Sequence, residues 1–453
     1  MKISTQRAGI ALAAATVVAL SACAPGPTTT ESEPVSASSA SVTTDISKLP
    51  EQTLVVWDQE VRGGQNEQME RLNQAFMEKY PNITIERNSQ SFDDLQTTLR
   101  LALSGEDAPD VVEANNARAT MGQFVAAQQI IPLDEWAEAY QWKERFEEGI
   151  LAYSSYSDDA VTFGEGHLYG LPQVGEVVGI YYSPKRLTEM GLEVPKTWEE
   201  FAAQLPVIKE KGSVPLMLGN VEKWPAIHVF GAVQGANVPA DRVRTLGFGN
   251  AGASWKTEEN VKAARQLQEW AQQGYFNEGF NGVDYDAVWQ SFAQGEGAYL
   301  IAGSWLAPDL KEVMGEDVAF MAPPVSEANK KPSTTGGTGL PFAITSAAKD
   351  PNVAAAYIDF ITSDEAMQVL VETGNVPVND TGNYIANTEG VVANVLTEFD
   401  NVSQKGNILP YLDYATPTMD QALGDALQEL LAGNSTPEEF TDTLEKNYAE
   451  FVQ

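Results

Sequence analysis

Apolar and polar positions change period several times along the chain, and the changes mark out its elements. Thr53-Leu54-Val55-Val56-Trp57 is a short run of strand-forming residues, followed by Asp58, Glu60, Arg62 and two glycines. Met69, Leu72 and Phe76 then recur at helical spacing until Tyr80-Pro81-Asn82 stops the helix. Ile83-Thr84-Ile85 alternates like a strand, Leu95, Leu99 and Ala102 mark a second helix, and Asp110-Val111-Val112 forms a third short strand. Strands alternating with helices predict an α/β fold with βαβ units and a largely parallel sheet. Ligands bind beyond the carboxyl ends of the strands in such sheets. That rule singles out Asp58 and Glu60 after the first strand, and Glu113 and Asn115 after the third. The C-terminal end is helical. Met419, Leu423, Ala426, Leu427 and Leu430 make one apolar stripe, and Thr436-Pro437-Glu438-Glu439 is a capping box that opens a last helix.

The first 49 residues follow neither period. Lys2 and Arg7 precede an apolar run, residues 8–20, that is too short to span a bilayer. Leu20-Ser21-Ala22-Cys23 follows and looks like a bacterial lipobox, in which the cysteine is diacylated and becomes the new N-terminus. An ordinary signal peptide with a chance cysteine is the plainer alternative. The small residues before the single cysteine of the chain favour the lipobox, and two acyl chains anchor stably where one does not. Ten of the eighteen residues 28–45 are Ser or Thr, too polar to offset the entropy of ordering, so residues 24–49 are expected to be a flexible tether.

Composition changes the picture mainly by exclusion. The chain has 453 residues, 43% of them hydrophobic, enough for sizeable cores. Its formal net charge of −35 would repel nucleic acid, so no nucleic-acid partner is expected. One cysteine permits no intrachain disulfide, and His167 and His228 stand too far apart in sequence to suggest a zinc site, so no metal and no cofactor are expected. Gly247-Phe248-Gly249-Asn250-Ala251-Gly252 matches a dinucleotide pattern but lacks the preceding strand and following helix, and reads as a loop. The chain has no phosphate-loop lysine motif and no nucleophile elbow. With 63 acidic residues, pairs of carboxylates carry no information without geometry.

Nine tryptophans do carry information. Trp57, Trp224, Trp255, Trp289 and Trp305 fall in loop-like contexts. Trp is highly buried on average, so most are expected in cores. Trp224, in the polar loop Gly219-Asn220-Val221-Glu222-Lys223-Trp224-Pro225, and Trp305, where a strand runs into a turn, escape that expectation. Flat rings beside Asp, Glu and Asn suit sugars, whose C–H faces stack and whose hydroxyls take charge-assisted hydrogen bonds.

Several blocks, in order, resemble extracellular solute-binding proteins of the carbohydrate importer class, the maltose- and raffinose-type group. They are Val55-Val56-Trp57-Asp58-Gln59-Glu60, Ser104-Gly105-Glu106-Asp107-Ala108-Pro109-Asp110-Val111-Val112, Gly170-Leu171-Pro172 and Gly179-Ile180-Tyr181-Tyr182-Ser183. Phe292-Ala293-Gln294-Gly295-Glu296-Gly297-Ala298 then leads to Gly303-Ser304-Trp305, and Ala354-Ala355-Ala356-Tyr357-Ile358-Asp359-Phe360 precedes Val376-Pro377-Val378. The resemblance implies a two-lobed periplasmic-binding-protein-like type II fold with hinge strands and the sugar between the lobes. Its divisions are a signal peptide 1–22, lipidated Cys23 and tether 23–49, a first lobe of 50–170 and 318–375, and a second of 171–317 and 376–453. Crossings are expected near 171–175, 317–323 and 375–377. Matched to the family position by position, Asp58, Glu60, Arg62, Glu113 and Asn115 supply rim contacts. Glu176 is the acidic hinge residue, Trp224 and Trp305 stack, and Asp413 follows from a loop before the penultimate helix. Maltose-type relatives carry a Trp near that helix where this chain has Thr416-Pro417-Thr418-Met419, so a di- or trisaccharide of xylo-, galacto- or gluco-type is expected rather than a long maltodextrin. The implied protein is a non-enzymatic monomer, lipid-anchored outside the cytoplasmic membrane, that delivers sugar to the permease subunits of an ATP-driven importer. A secreted glycosidase and a binding protein for a non-sugar solute stand as alternatives.

Overall fold

The computed structural model describes residues 42–105 and 108–452. The signal segment, Cys23 and the tether up to residue 41 lie outside them. Twelve strands follow in order among the described residues: β1 (Gln52–Asp58), β2 (Ile83–Ser89), β3 (Val111–Glu113), β4 (Ser155–Tyr156), β5 (His167–Leu168), β6 (Gly175–Tyr182), β7 (Leu216–Met217), β8 (Tyr299–Gly303), β9 (Ala319–Met321), β10 (Ser333–Thr338), β11 (Phe342–Ile344) and β12 (Asn407–Leu409).

The first lobe is built on a sheet of order β11-β3-β1-β2. β1 runs parallel to both neighbours, as the βαβ pattern predicts, and β11 closes the edge antiparallel to β3. Leu54 and Val56 point from β1 into a core that takes Met69, Leu72 and Phe76 from the helix Gly63–Lys79 and Tyr357 and Ile358 from Pro351–Ile361. Residues 42–49 do not behave as tether. Ile46 is fully buried in this core, and the Asn82 side-chain amide donates to the Ile46 and Leu49 carbonyls. Val42 and Leu49 pack against the same core and the Thr43 N–H donates to the Asn352 side chain at 3.0 Å, so a few apolar side chains draw in a stretch that its Ser and Thr content marks as unfolded.

The second lobe carries the sheet β12-β10-β6-β8-β7, with β9 on the far half of β6. Here the expectation of a largely parallel sheet gives way: three of the five pairings, all involving β6, are antiparallel. The helix Trp224–Asn237 is buried nearly all round, and the capping box at Thr436 forms as its sequence predicts. Gly247 ends the helix Ala240–Gly247, and residues 248–252 make a loop. Gly249 (φ +64°) lies so close to the Ala415 carbonyl that a Cβ would stand 1.9 Å from its oxygen.

Three segments lie side by side where the lobes join. Leu171 and Phe342 exchange backbone hydrogen bonds of 3.0 Å, the Gly339 N–H donates to the Val174 carbonyl, and the Gly175 N–H donates to the Val376 carbonyl. Residues 171–175 and 375–377 lie at this ladder. The crossing expected near 317–323 does not, because β9 pairs β6 within the second lobe and the chain passes back only between β10 and β11, at Gly339-Leu340-Pro341. The stretch 318–338 therefore belongs to the second lobe. Its Ser333-Thr334-Thr335-Gly336-Gly337-Thr338 run has no apolar residue, yet every residue of it is buried as a strand between β6 and β12.

Candidate functional site

The lobes enclose a cleft of about 290 Å³. One wall comes from the loop after β1, with Gln59, Val61 and Arg62, and from Phe92 and Asp93 at the start of the helix Phe92–Ala102. Ser91 caps that helix, accepting from the Asp94 N–H, and so fixes where Phe92 points. The opposite wall comes from the second lobe. Trp224 and His228 sit one turn apart on the helix Trp224–Asn237, and Tyr285 opens the helix Tyr285–Ala293. Trp305 follows β8, and Tyr411, Asp413 and Tyr414 follow β12. Leu340 and Glu176 line the hinge side.

The rings form a continuous aromatic surface. Trp224 and Tyr285 have centroids 4.5 Å apart, Trp224 and Trp305 6.4 Å apart at 66°, His228 and Trp305 5.3 Å apart, and His228 and Tyr411 5.0 Å apart. The Trp305 Nε1–H donates to the Tyr285 hydroxyl at 2.9 Å, which fixes its plane. Its six-membered ring lies directly on Gly303, where a Cβ would come within 1.9 Å of Cζ3. The Trp224 Nε1 and the His228 Nδ1 are buried and have no hydrogen-bond partner. Burial holds His228 neutral, with its pKa lowered to about 3.

Five of the residues named from sequence line this cleft: Asn115, Glu176, Trp224, Trp305 and Asp413, with Arg62 beside them. The other three do not. Asp58, Glu60 and Glu113, expected as rim contacts, lie beneath the wall and point into protein. Asp58 is 0% exposed and is held by Arg87 (Nε–H to Oδ2, 2.6 Å) and by the Ser89 hydroxyl at 2.8 Å. Glu113 accepts from the Gln59 N–H at 2.8 Å, and the Gln59 side-chain amide donates to Glu60 at 3.0 Å. Burial raises the pKa of both Glu60 and Glu113, and the Asp58 charge beside them raises each further. These three carboxyls hold Gln59 and the loop in place; Gln59, which sequence reasoning passed over, is the residue that reaches the cleft. Polarity alone could not separate the two groups, because the turn after β1 sends successive side chains alternately in and out.

The remaining carboxylates of the wall are electrostatically uneven. Burial pushes Glu176 up to about 8, against a lowering from the Tyr411 hydroxyl that donates to it at 3.1 Å. It pushes Asp413 up to about 7. Glu222, whose carboxylate accepts from the Tyr285 N–H, is raised by burial and by Asp284, while Asp284 is lowered by capping the helix through the Ala287 N–H. Of the other tryptophans, Trp255 is fully buried in the second lobe's core. Of the two histidines, His228 is the one in the cleft, and its position one helical turn beyond Trp224 was the available signal.

The two walls touch across the cleft mouth. Arg62 makes a 2.8 Å ion pair with Asp286, its guanidinium lies 5.9 Å from the Tyr285 ring centroid, and Phe92 meets Trp224 edge-on at 6.3 Å. At the other end the contact is buried. Arg118 donates to the Val161 carbonyl of its own lobe and the Phe248 carbonyl of the other, and Tyr153 packs on Phe248. The lobes thus touch at two places, through packed rings at one and an ion pair at the other.

Comparison with known proteins agrees with this geometry. Residues 63–368 match the family model of bacterial extracellular solute-binding proteins. A multiple sugar-binding protein of Streptococcus mutans is 24% identical over 324 residues, covering 68% of this chain and 71% of that protein. A solved structure from work on xylan utilization by the thermophilic bacterium Caldanaerobius polysaccharolyticus superposes with a TM-score of 0.74 at 21% identity, covering 87% of this chain and 99% of the other. A solute-binding protein solved with raffinose gives 0.68 at 19% identity, over 89% and 100% of the two chains. With two lobes, a threefold hinge and a match over residues 63–368, the chain belongs to the bacterial extracellular solute-binding proteins.

Proposed function

We propose that the protein captures a short oligosaccharide between its lobes and delivers it intact to the permease of an ATP-driven importer. The observation that carries this is the cleft itself, with Trp224 and Trp305 as two tilted platforms and a rim of Glu176, Asn115 and Asp413. Rings bury the C–H faces of a sugar and carboxylates accept from its hydroxyls. The 290 Å³ volume lies at the small end of the range for ligand sites, about 300–1,000 Å³, which favours a disaccharide over longer chains. Ligand touching both walls binds the closed form better than the open one and draws the population towards it. Arg62 and Asp286 add a contact made only on closure. In this reading the chain is a monomer, anchored outside the cytoplasmic membrane by lipid on Cys23. Mass spectrometry of the native protein tests the anchor: absence of acyl mass at Cys23 removes it.

Calorimetric titration of residues 24–453 against xylo-, galacto- and gluco-oligosaccharides tests the function. Tight binding with the sugar recovered whole supports transport. A cleaved sugar turns the reading into that of a glycosidase, and no binding across the panel removes the saccharide.

A further inference from the structure

The charge on the cleft wall says more about the ligand than its shape does. Carboxylates at Asp93, Glu176, Glu222, Asp284, Asp286 and Asp413 face the space. Against them stands one cation among the described lining residues, Arg62, and it is already paired with Asp286. His228 is neutral. Asp284 is used as a helix cap and Glu222 holds the Tyr285 N–H, but Glu176 has a single phenol for a partner and the Asp413 side chain has none from another side chain. A carboxylate in a desolvated site needs a countercharge or several donors. This wall supplies neither, so in the empty cleft Glu176 and Asp413 are held towards the protonated form, and a ligand that brings charge and donors can ionise them.

The rings point the same way. The electron-rich faces of Trp and Tyr attract cations, with Trp the strongest. Trp224, Trp305, Tyr285 and Tyr411 surround the same volume that the carboxylates face. A neutral hydroxyl would give Asp413 one hydrogen bond. An ammonium gives three donors and a full charge. Carboxyls that burial has pushed up to about 7 and 8 are groups that a nearby ammonium returns to the ionised form.

Resting on the saccharide reading above, we propose that the cleft takes an amino sugar carrying a free, protonated amine, seated between Asp413, Glu176 and the Trp224–Trp305 platforms, and that it rejects uronates.

Matched sets test it. Glucosamine, N-acetylglucosamine, glucose and glucuronate, their galacto counterparts, and the β-1,4 disaccharides of each are titrated at pH 6.5 in low and high salt. The expected result is an amine that binds at least tenfold tighter than its hydroxyl parent, an advantage that shrinks with salt, and no measurable uronate binding. Asp413→Asn is expected to weaken the amine more than the parent sugar. A hydroxyl or acetamido form that binds as tightly as the amine overturns the assignment, as does a uronate that binds like glucose. If no member binds, the saccharide reading itself fails and takes this one with it.

Discussion

Gly303→Ala tests the Trp305 platform without removing the ring. The backbone there has φ −82° and ψ 164°, which alanine adopts freely, so the substitution adds a methyl and no backbone strain. That methyl would stand 1.9, 2.1 and 2.2 Å from Cζ3, Cη2 and Cε3 of Trp305. Ordinary carbon–carbon contact begins near 3.5 Å, so the indole must lift by roughly 1.5 Å. The lift breaks the 2.9 Å bond from Trp305 Nε1 to the Tyr285 hydroxyl, which costs the fold about 0.5–1.5 kcal/mol, and moves the stacking face out of register, which costs binding about 0.5–1.5 kcal/mol. The binding loss predicts an affinity about 2- to 13-fold weaker. Calorimetric titration with the cognate sugar reads the affinity, and near-ultraviolet circular dichroism reads the ring. Overpacking costs the fold about 1–3 kcal/mol, so the variant should remain folded. An alanine variant with parental affinity and an unchanged aromatic spectrum would refute the placement of Trp305 on Gly303 as a ligand platform.

Three further outcomes are expected. Arg62→Ala should speed ligand release two- to fivefold with little change in capture rate, because the Arg62–Asp286 pair is half exposed and worth at most ~1 kcal/mol; stopped-flow dissociation measures it, and high salt should erase the difference. Arg87→Ala leaves the fully buried Asp58 charge unpaired, at a cost of about 3–5 kcal/mol that chemical denaturation would show, and loosens the loop carrying Gln59. Glu176 has a folded pKa of about 8, above its ordinary 4.5, so the stability of its protonated form is full below about pH 4.5 and is lost as pH climbs through about 8. The ligand-free protein should therefore weaken over that window by up to ~1.4 kcal/mol per pH unit, and Glu176→Gln should flatten the profile; parallel profiles for parent and variant would count against a buried, protonated Glu176.

What the sequence showed depended on whether a local pattern controlled the outcome. The βαβ run through β1, β2 and β3, the capping box at Thr436 and the cleft positions of Trp224 and Trp305 were all legible, because strand alternation, a cap and a Trp in a polar loop or turn each leave a local signature. The return crossing was not. Nothing in Ser333-Thr334-Thr335-Gly336-Gly337-Thr338 is apolar, and it becomes a buried strand because two neighbours distant in sequence, β6 and β12, satisfy its backbone. Likewise Ile46 reads as part of a polar tether until the Asn82 amide and the first lobe's core appear beside it. The reversal of Gln59 against Asp58 and Glu60 belongs to the same class. Which side of a turn a polar residue occupies is fixed by partners such as Arg87 and Glu113 that lie 29 and 54 positions away.

The threefold crossing also sets when the chain can fold. The edge strand β11 pairs with β3 although more than two hundred residues separate Phe342 from Glu113, and the helix Pro351–Ile361 fills the core beneath β1. The first lobe therefore lacks an edge and half its interior until residue 361 has emerged, and the second waits for its last helix, Pro437–Phe451. Contacts so distant in sequence slow folding and tie both halves into one late event. A ribosome can release residues up to 361 before the first half closes and up to about 451 before the second, a delay that suits a chain bound for the far side of the cytoplasmic membrane.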